Sequence, residues 1–481
     1  MSGRATAFAV TFLIPIVLSR IFSKAEFGTY KQIFLIVYTL YGVGQVGMAE
    51  CLYYFLPTYP KSAGRYVTNS LIILGATGLL CFTVLTLADK RIAHWLSNPA
   101  LTHYAWIAGA YMVLMLTGAA LEIVMIARKR FRWATFTYAV SDAVRGILMI
   151  TFALATRKLE WVLVAGLLFL AIRVAGFIAY IKSEFPHDLG FDIPLLKQQF
   201  AYTIPFSFAV LIDMIQQNYH QYAVSYYFDA ATFAIYSVGC LQIPLTDFLA
   251  SPASNVMMVR MGEELREGRK NHVIPIWHDT SRKLALAFIP LAAMLIVNAH
   301  RIITFLFTDQ YAASVPIFML WSLTVMSSIF QTDGVLRVFA ETRFLVVMNL
   351  AKLATIIALM SWAIHRFSLQ GPVLVTLAGI LVAKGVALIK IKRILNVSIA
   401  QVMPWMNLGG IAILAMLAAI PAYLITNYLR LPSLYVLPIS GMTYIAVYTT
   451  LLLVFNLLTE GEKRAITEAV ASCRRWLYAG A

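Results

Sequence analysis

Charge is scarce in this sequence. Asp, Glu, Lys and Arg make up 12% of its 481 residues, against about 25% in an ordinary soluble domain. A chain this long with so little charge lacks the polar surface to stay dispersed in water. That excludes a soluble enzyme, a secreted domain and a disordered chain. Cysteine is nearly absent. Cys51, Cys81, Cys240 and Cys473 show no paired spacing, which excludes a disulfide framework and a cysteine metal site. The eight histidines include no H-E-x-x-H pattern, and there is no Walker A sequence, so neither metalloprotease chemistry nor ATP-driven transport is indicated. The run GVGQVG at 42–47 fits a dinucleotide fingerprint by letter. It sits inside an apolar run, however, where glycines serve close helix packing. Acidic residues number 22 against 38 basic ones, for a net charge of +16. In a membrane protein that surplus goes to cytoplasmic loops and anionic lipids, so nucleic acid is not the expected partner.

Apolar residues fill the gap. They make up 60% of the chain, with a mean hydropathy of +0.78. A crossing helix needs about 20 apolar residues. Fourteen runs qualify, near 5–21, 32–56, 66–88, 100–126, 133–155, 160–181, 199–226, 231–257, 284–306, 314–339, 344–365, 371–389, 405–428 and 433–457. The expected fold is an all-α polytopic membrane protein. No A-x-A-like cleavage site follows the first run, which therefore reads as a retained helix. With a cytoplasmic N-terminus, 24 Lys and Arg fall inside, 10 outside and four within spans. That bias predicts that both termini are cytoplasmic.

The chain repeats itself. SRIFSKAEFGTY at 19–30 and SYYFDAATFAIY at 225–236 agree at five of twelve positions, offset by 206. ARKRF at 127–131 and AETRF at 340–344 form a second pair, offset by 213. The first pair follows spans 1 and 7, and the second follows spans 4 and 10. Spans 1–6 and 7–12 therefore read as parallel copies with two helices appended. The expected organisation is a six-helix lobe at 1–181, a cytoplasmic linker at 182–198 and a second lobe at 199–393. Two further helices follow at 394–457, then a tail at 458–481 with an amphipathic surface helix. The substrate site is expected between the lobes. The charged segment 260–283 reads as a solvated loop.

Charged groups inside spans are costly and face protein or water. Asp142 and Arg145 stand three apart on one helical face, and Arg173 lies in the next span. Asp213, Gln216, Gln217 and His220 form a polar stripe at spacing 0, 3, 4 and 7. This stripe reads as cavity lining, with Asp213 as the coupling acid for H⁺ or Na⁺. Lys31, Tyr38, Tyr41 and Gln45 follow helical spacing and are candidate sugar contacts. Glu122 reads as a lone protonated acid, and Lys384 as a snorkelling surface lysine.

LSRIFSKAEFGTY, the mid-chain stretch SYYFDAATFAIYSVGCLQIPL and the basic ARKRF loop together resemble the bacterial polysaccharide exporters. These belong to the multidrug/oligosaccharidyl-lipid/polysaccharide exporter superfamily. The resemblance implies two six-helix lobes around a central cavity, and translocation of undecaprenyl-pyrophosphate-linked oligosaccharide by alternating access. It implies cavity cations for the anionic head group, with Arg20 at the position of the motif arginine. Arg145 and Arg173 would meet the pyrophosphate first and Arg20 later. The second copy has Tyr226 in place of Arg20 and Ala234 in place of Gly28, so the motif cation is not duplicated. No enzyme activity and no cofactor or metal are expected. A polysaccharide polymerase and other assembly proteins are the expected partners, alongside membrane lipids. A multidrug extruder and a non-transporting scaffold of envelope polysaccharide assembly are the alternatives. Which glycan is carried, whether lipopolysaccharide or exopolysaccharide, is not written in the sequence.

Overall fold

A computed structural model describes residues 2–243 and 245–463. Every regular element among them is helical. Among the described residues, nine stretches are long and apolar enough to cross a membrane, and one of these, Thr342–Leu395, is long enough for two crossings. The expected tail helix lies largely outside the described residues.

The chain forms two compact units. The first comprises Met1–Val238 with Met360–Pro372. Its helices are α1 (Ser2–Ile21), α2 (Lys24–Gly44), α3 (Leu52–Thr58), α4 (Ala63–Leu87), α5 (Asp89–Trp95), α6 (Leu101–Thr117), α7 (Leu121–Ala127), α8 (Phe131–Thr156), α9 (Leu159–Glu184), α10 (Ile193–Tyr227) and α11 (Ala230–Gly239). The division falls after Val238 rather than at 182–198, and the bonding of α10 explains why. Gln198 accepts from the Tyr66 hydroxyl at 2.8 Å, and Gln199 donates to Ser70 Oγ at 2.9 Å, both on α4. At its other end Ser225 accepts from Gln32 of α2 at 2.6 Å. The segment expected as a linker is itself tied down. Asp188 accepts from the Gly64 amide at 2.7 Å, and the Asp192 carbonyl from Asn69 at 2.8 Å.

The repeated motif is a pair of helix starts. Ser23 and Glu26 close a capping box on α2, and Asp229 Oδ1 accepts from the Thr232 amide at 2.9 Å to cap α11. Each satisfies orphan amides of a first turn. The matched Ser19 and Ser225, and the matched Phe27 and Phe233, are fully buried. Gln32, Asn98 and Ser225 then form a buried network. Asn98 donates to Gln32 Oε1 at 2.6 Å and to Thr29 Oγ1 at 2.9 Å. Removing Asn98 strands both acceptors away from water, at about 1–3 kcal/mol each. Asn98→Ala is therefore expected to lower the melting temperature of the purified protein, whereas an exposed control such as Thr151→Ala is expected to leave it unchanged.

The second unit comprises Gly239–Leu359 with Val373–Ala481. It contains α12 (Leu245–Arg266), α13 (Val273–Val297), α14 (Ala299–Phe307), α15 (Val315–Ser322), α16 (Thr332–Val338), most of α17 (Thr342–Phe367) and of α18 (Gly371–Leu395), α19 (Ile399–Val402), α20 (Trp405–Tyr428) and α21 (Ser433–Val454). The two appended helices α20 and α21 pack on α13 through Phe288, Ala415, Ala418 and Tyr444. Arg301 caps the C-terminal end of α20, donating to the carbonyls of Thr426, Leu429 and Leu431 at 2.9, 3.0 and 3.1 Å. A cation there completes the orphan acceptors and matches the helix dipole.

The segment 260–283 is mostly helix, not loop, because α12 runs to Arg266 and α13 starts at Val273. Ion pairs satisfy its charges: Glu264 with Arg269 at 2.6 Å, and Arg282 with Glu462 at 2.5 Å. The Arg269 guanidinium beside Glu264 holds that carboxyl down at about 2. Spans 2, 8 and 10 are each interrupted, between Gln45 and Cys51, at 240–243 and at Leu323–Gln331. At the first break Gly47 sits at φ +65° against Thr203 of α10. Gly42, one turn earlier, meets Met214 of the same helix, the close packing expected of that glycine run.

Candidate functional site

Four intramembrane charges of the first unit form two pairs on the helices α7, α8 and α9. Arg173 of α9 grips Glu122 of α7 through both carboxylate oxygens, at 2.6 and 2.8 Å. Glu122 is buried, and the Arg173 side chain is about one-fifth exposed. Arg145 meets Asp142 at 3.1 Å, one turn away on α8. Glu122 is therefore not a lone protonated acid but the counter-charge of Arg173. Both arginines carry local carboxylates, so neither adds net charge to its surroundings. A paired guanidinium remains the best side chain for bidentate contact with phosphate.

The face of α2 picked out by spacing joins this charged seam. Tyr38 lies within electrostatic reach of Arg145, as do Tyr30 and Tyr111. Tyr41 lies within reach of Arg173, Glu122 and Glu50. Glu50 stands in the break after α2, and one of its carboxylate oxygens is buried without a hydrogen-bond partner. Lys31 is one turn or more away, with its ammonium 5.6 Å from the Phe27 ring centre. Gln45 ends α2, its amide bonded to the Tyr41 carbonyl at 3.2 Å. The row is thus split: Tyr38 and Tyr41 meet the seam, Lys31 covers an aromatic ring, and Gln45 sits at the break. Arg20 lies in the last turn of α1 and is exposed.

The stripe on α10 is divided as well. Asp213 and Gln217 are exposed and bonded to each other, with Gln217 donating at 2.7 Å. Gln216 and His220 are buried. His220 Nδ1 lies 2.7 Å from the Tyr236 hydroxyl of α11. Helical spacing fixes the face, but the face is broad enough for one edge to enter the core while the other stays open. His220 and Gln216 therefore belong to the packing of α10, and Asp213 is the accessible acid. Lys384, expected to snorkel, is an intramolecular partner instead, paired with Asp333 at 2.9 Å. Among the described residues no cluster of three or more His, Cys, Asp or Glu could hold a metal.

These features define a multi-pass, all-helical membrane protein with a charged seam inside its apolar helices, and its fold is shared with solved flippase and transporter structures. Twenty-two solved chains match it, among them three of note. A lipid II flippase, MurJ, in an inward-closed conformation superposes with a TM-score of 0.73, covering 93% of this chain and 98% of that one at 14% identity. An inward-facing multidrug resistance MATE family transporter of the MOP superfamily gives 0.64, covering 81% and 94% at 14% identity. A MOP superfamily transporter from Pyrococcus furiosus gives 0.55, covering 82% and 93% at 11% identity. No curated protein matches in sequence. The sequence profile of the family described as "Polysaccharide biosynthesis protein" matches residues 17–316, and the chain belongs to that family.

Proposed function

We propose that this protein is a flippase that carries an undecaprenyl-pyrophosphate-linked oligosaccharide across the bacterial inner membrane. Family membership and the exporter fold support the reading. The observation that carries it is the pair of arginines held within apolar helices of the first unit beside Tyr38 and Tyr41. Each guanidinium is already balanced by a carboxylate, so it recognises a diphosphate through charge-assisted bidentate contact rather than through net charge. An incoming diphosphate competes with Asp142 and Glu122 for the same guanidinium groups. The tyrosine hydroxyls and ring faces suit sugars, and the lipid tail stays in the bilayer.

Transport proceeds by alternating access, with Asp213 as the coupling acid for H⁺ or Na⁺. Binding of that ion neutralises an accessible carboxylate on α10 and biases one conformation. Both termini are cytoplasmic, and a polysaccharide polymerase receives the product. The test is a reconstituted flipping assay with an undecaprenyl-pyrophosphate-linked saccharide, run with and without an imposed gradient. Asp213→Asn is expected to reduce transport to the gradient-free rate. Full gradient dependence in that variant removes Asp213 from the mechanism, and absence of any flipping by the wild type removes the reading. The fold shared with a multidrug transporter favours drug extrusion as the second reading. Drug resistance conferred on efflux-deficient cells, without saccharide flipping, would establish it instead.

A further inference from the structure

The second unit holds a polar recess that the charged seam does not explain. It encloses about 340 Å³, within the range of about 300–1,000 Å³ typical of small-molecule sites. Three α-helices and the segment Leu323–Gln331, through Ser327, Ser328 and Gln331, line it. Ser251, Ser254 and Asn255 stand on one face of α12, Asp333 and Arg337 one turn apart on α16, and Lys384 comes from α18. α12 is not among the helices apolar enough to cross a membrane. A helix with such a face needs water or a polar ligand beside it.

The charges of the recess are arranged asymmetrically. Lys384 donates to Asp333 at 2.9 Å and to Thr332 Oγ1 at 3.1 Å, and Thr332 in turn donates to Asp333 at 3.0 Å. That triad is closed and neutral. Arg337 is exposed and forms no ion pair among the described residues. The recess therefore carries one surplus positive charge, ringed by hydroxyl and amide groups. A metal or proton would meet net repulsion, and an apolar drug would strip polar groups of water without replacing their bonds. A phosphate bearing a sugar satisfies both features: the anion meets Arg337, and its hydroxyls meet Ser251, Ser254 and Asn255.

We infer that this recess is a glycosyl-phosphate site, in which Arg337 contacts the phosphate and α12 contacts the first sugar. The inference rests on the proposed function and adds to it a binding site on the second unit. Charge-assisted contacts of this kind are strong enough to set affinity.

The test uses the purified full chain in detergent, with binding of farnesyl-diphosphate-linked N-acetylglucosamine read by calorimetry. Arg337→Gln is expected to weaken binding at least ~10-fold, a difference of one decade in Kd, and Arg337→Lys to recover part of it. Asp333→Asn, which removes the balancing negative charge, is expected to hold or tighten binding. A Ser254→Ala, Asn255→Ala double variant is expected to weaken the glycan-bearing probe while leaving farnesyl diphosphate unchanged. Wild-type affinity in Arg337→Gln overturns the site, as does a loss in Asp333→Asn equal to that of Arg337→Gln. If the wild type binds the probe and flips substrate while Arg337→Gln does both equally well, the recess inference falls and the proposed function stands. If the wild type neither binds nor flips, both fall.

Discussion

Glu122→Gln is expected to destabilise the protein by about 3–5 kcal/mol, the usual cost of leaving one member of a buried ion pair uncompensated. Glu122 is almost wholly enclosed, and both its oxygens serve Arg173. The amide that replaces it can accept through one oxygen only, and it offers an N–H to a cation that has no use for it. The guanidinium cannot shed its charge inside a protein. It must therefore draw water into an apolar bundle or open the contact between α7 and α9. The measurement is the melting temperature in detergent. The double variant Glu122→Gln, Arg173→Gln separates fold from function, because removing both charges is far less costly than removing one. It is expected to recover most of the lost stability. If it also flips substrate at the wild-type rate, the pair serves structure alone. If it is stable but inactive, Arg173 meets the substrate. Unchanged melting in the single variant would mean that the pair is solvated and contributes little.

That pair marks the limit of what the sequence discloses. Asp142 and Arg145 were legible as partners because they lie three apart on one helix, where spacing predicts contact. Glu122 and Arg173 lie 51 residues apart on different helices, and no periodicity connects them. The same reason hid the Lys384–Asp333 pair and led 260–283 to read as a loop. Its charges find partners as distant as Glu462, which only the folded chain brings near. Apolar runs located the helices, since burial in lipid demands them, and each of the fourteen overlaps a helix or an interrupted pair of helices. The interruptions left no such trace. Val46 and Gln331 take left-handed backbone angles, φ 46° and 45°, that their own side chains disfavour. Only packing imposes them. The repeat was legible as letters, but its meaning was not. Ser19 and Ser225 are buried at the ends of α1 and α10, and Phe27 and Phe233 at the starts of α2 and α11, so these residues of the family resemblance hold the fold and need not touch cargo.

Gly28→Ala tests that last point and is expected to cost about 1–3 kcal/mol or more, the range for overpacking a core. Gly28 lies in the first turns of α2 and faces the start of α11, the matching element of the other repeat copy. A methyl group built there would run into the Ala230 carbonyl oxygen and stand 2.6 Å from its carbon. The obstacle is backbone, not the end of a flexible side chain, so relief requires that α2 and α11 move apart. Separation would also strain the bond from Gln32 to Ser225, 2.6 Å long and one turn further along α2. This geometry explains why the copies differ at that position. Ala234 occupies the place in α11 that Gly28 holds in α2, and there the methyl is buried. The two variants should therefore differ in degree. Gly28→Ala is expected to lower the melting temperature and the yield of folded protein. Ala234→Gly removes one buried methyl and adds backbone freedom, about 1 kcal/mol for a glycine inside a helix, and is expected to be the milder change. If Gly28→Ala melts with the wild type, the two helix starts are not held in contact, and the motif needs another reason for its glycine.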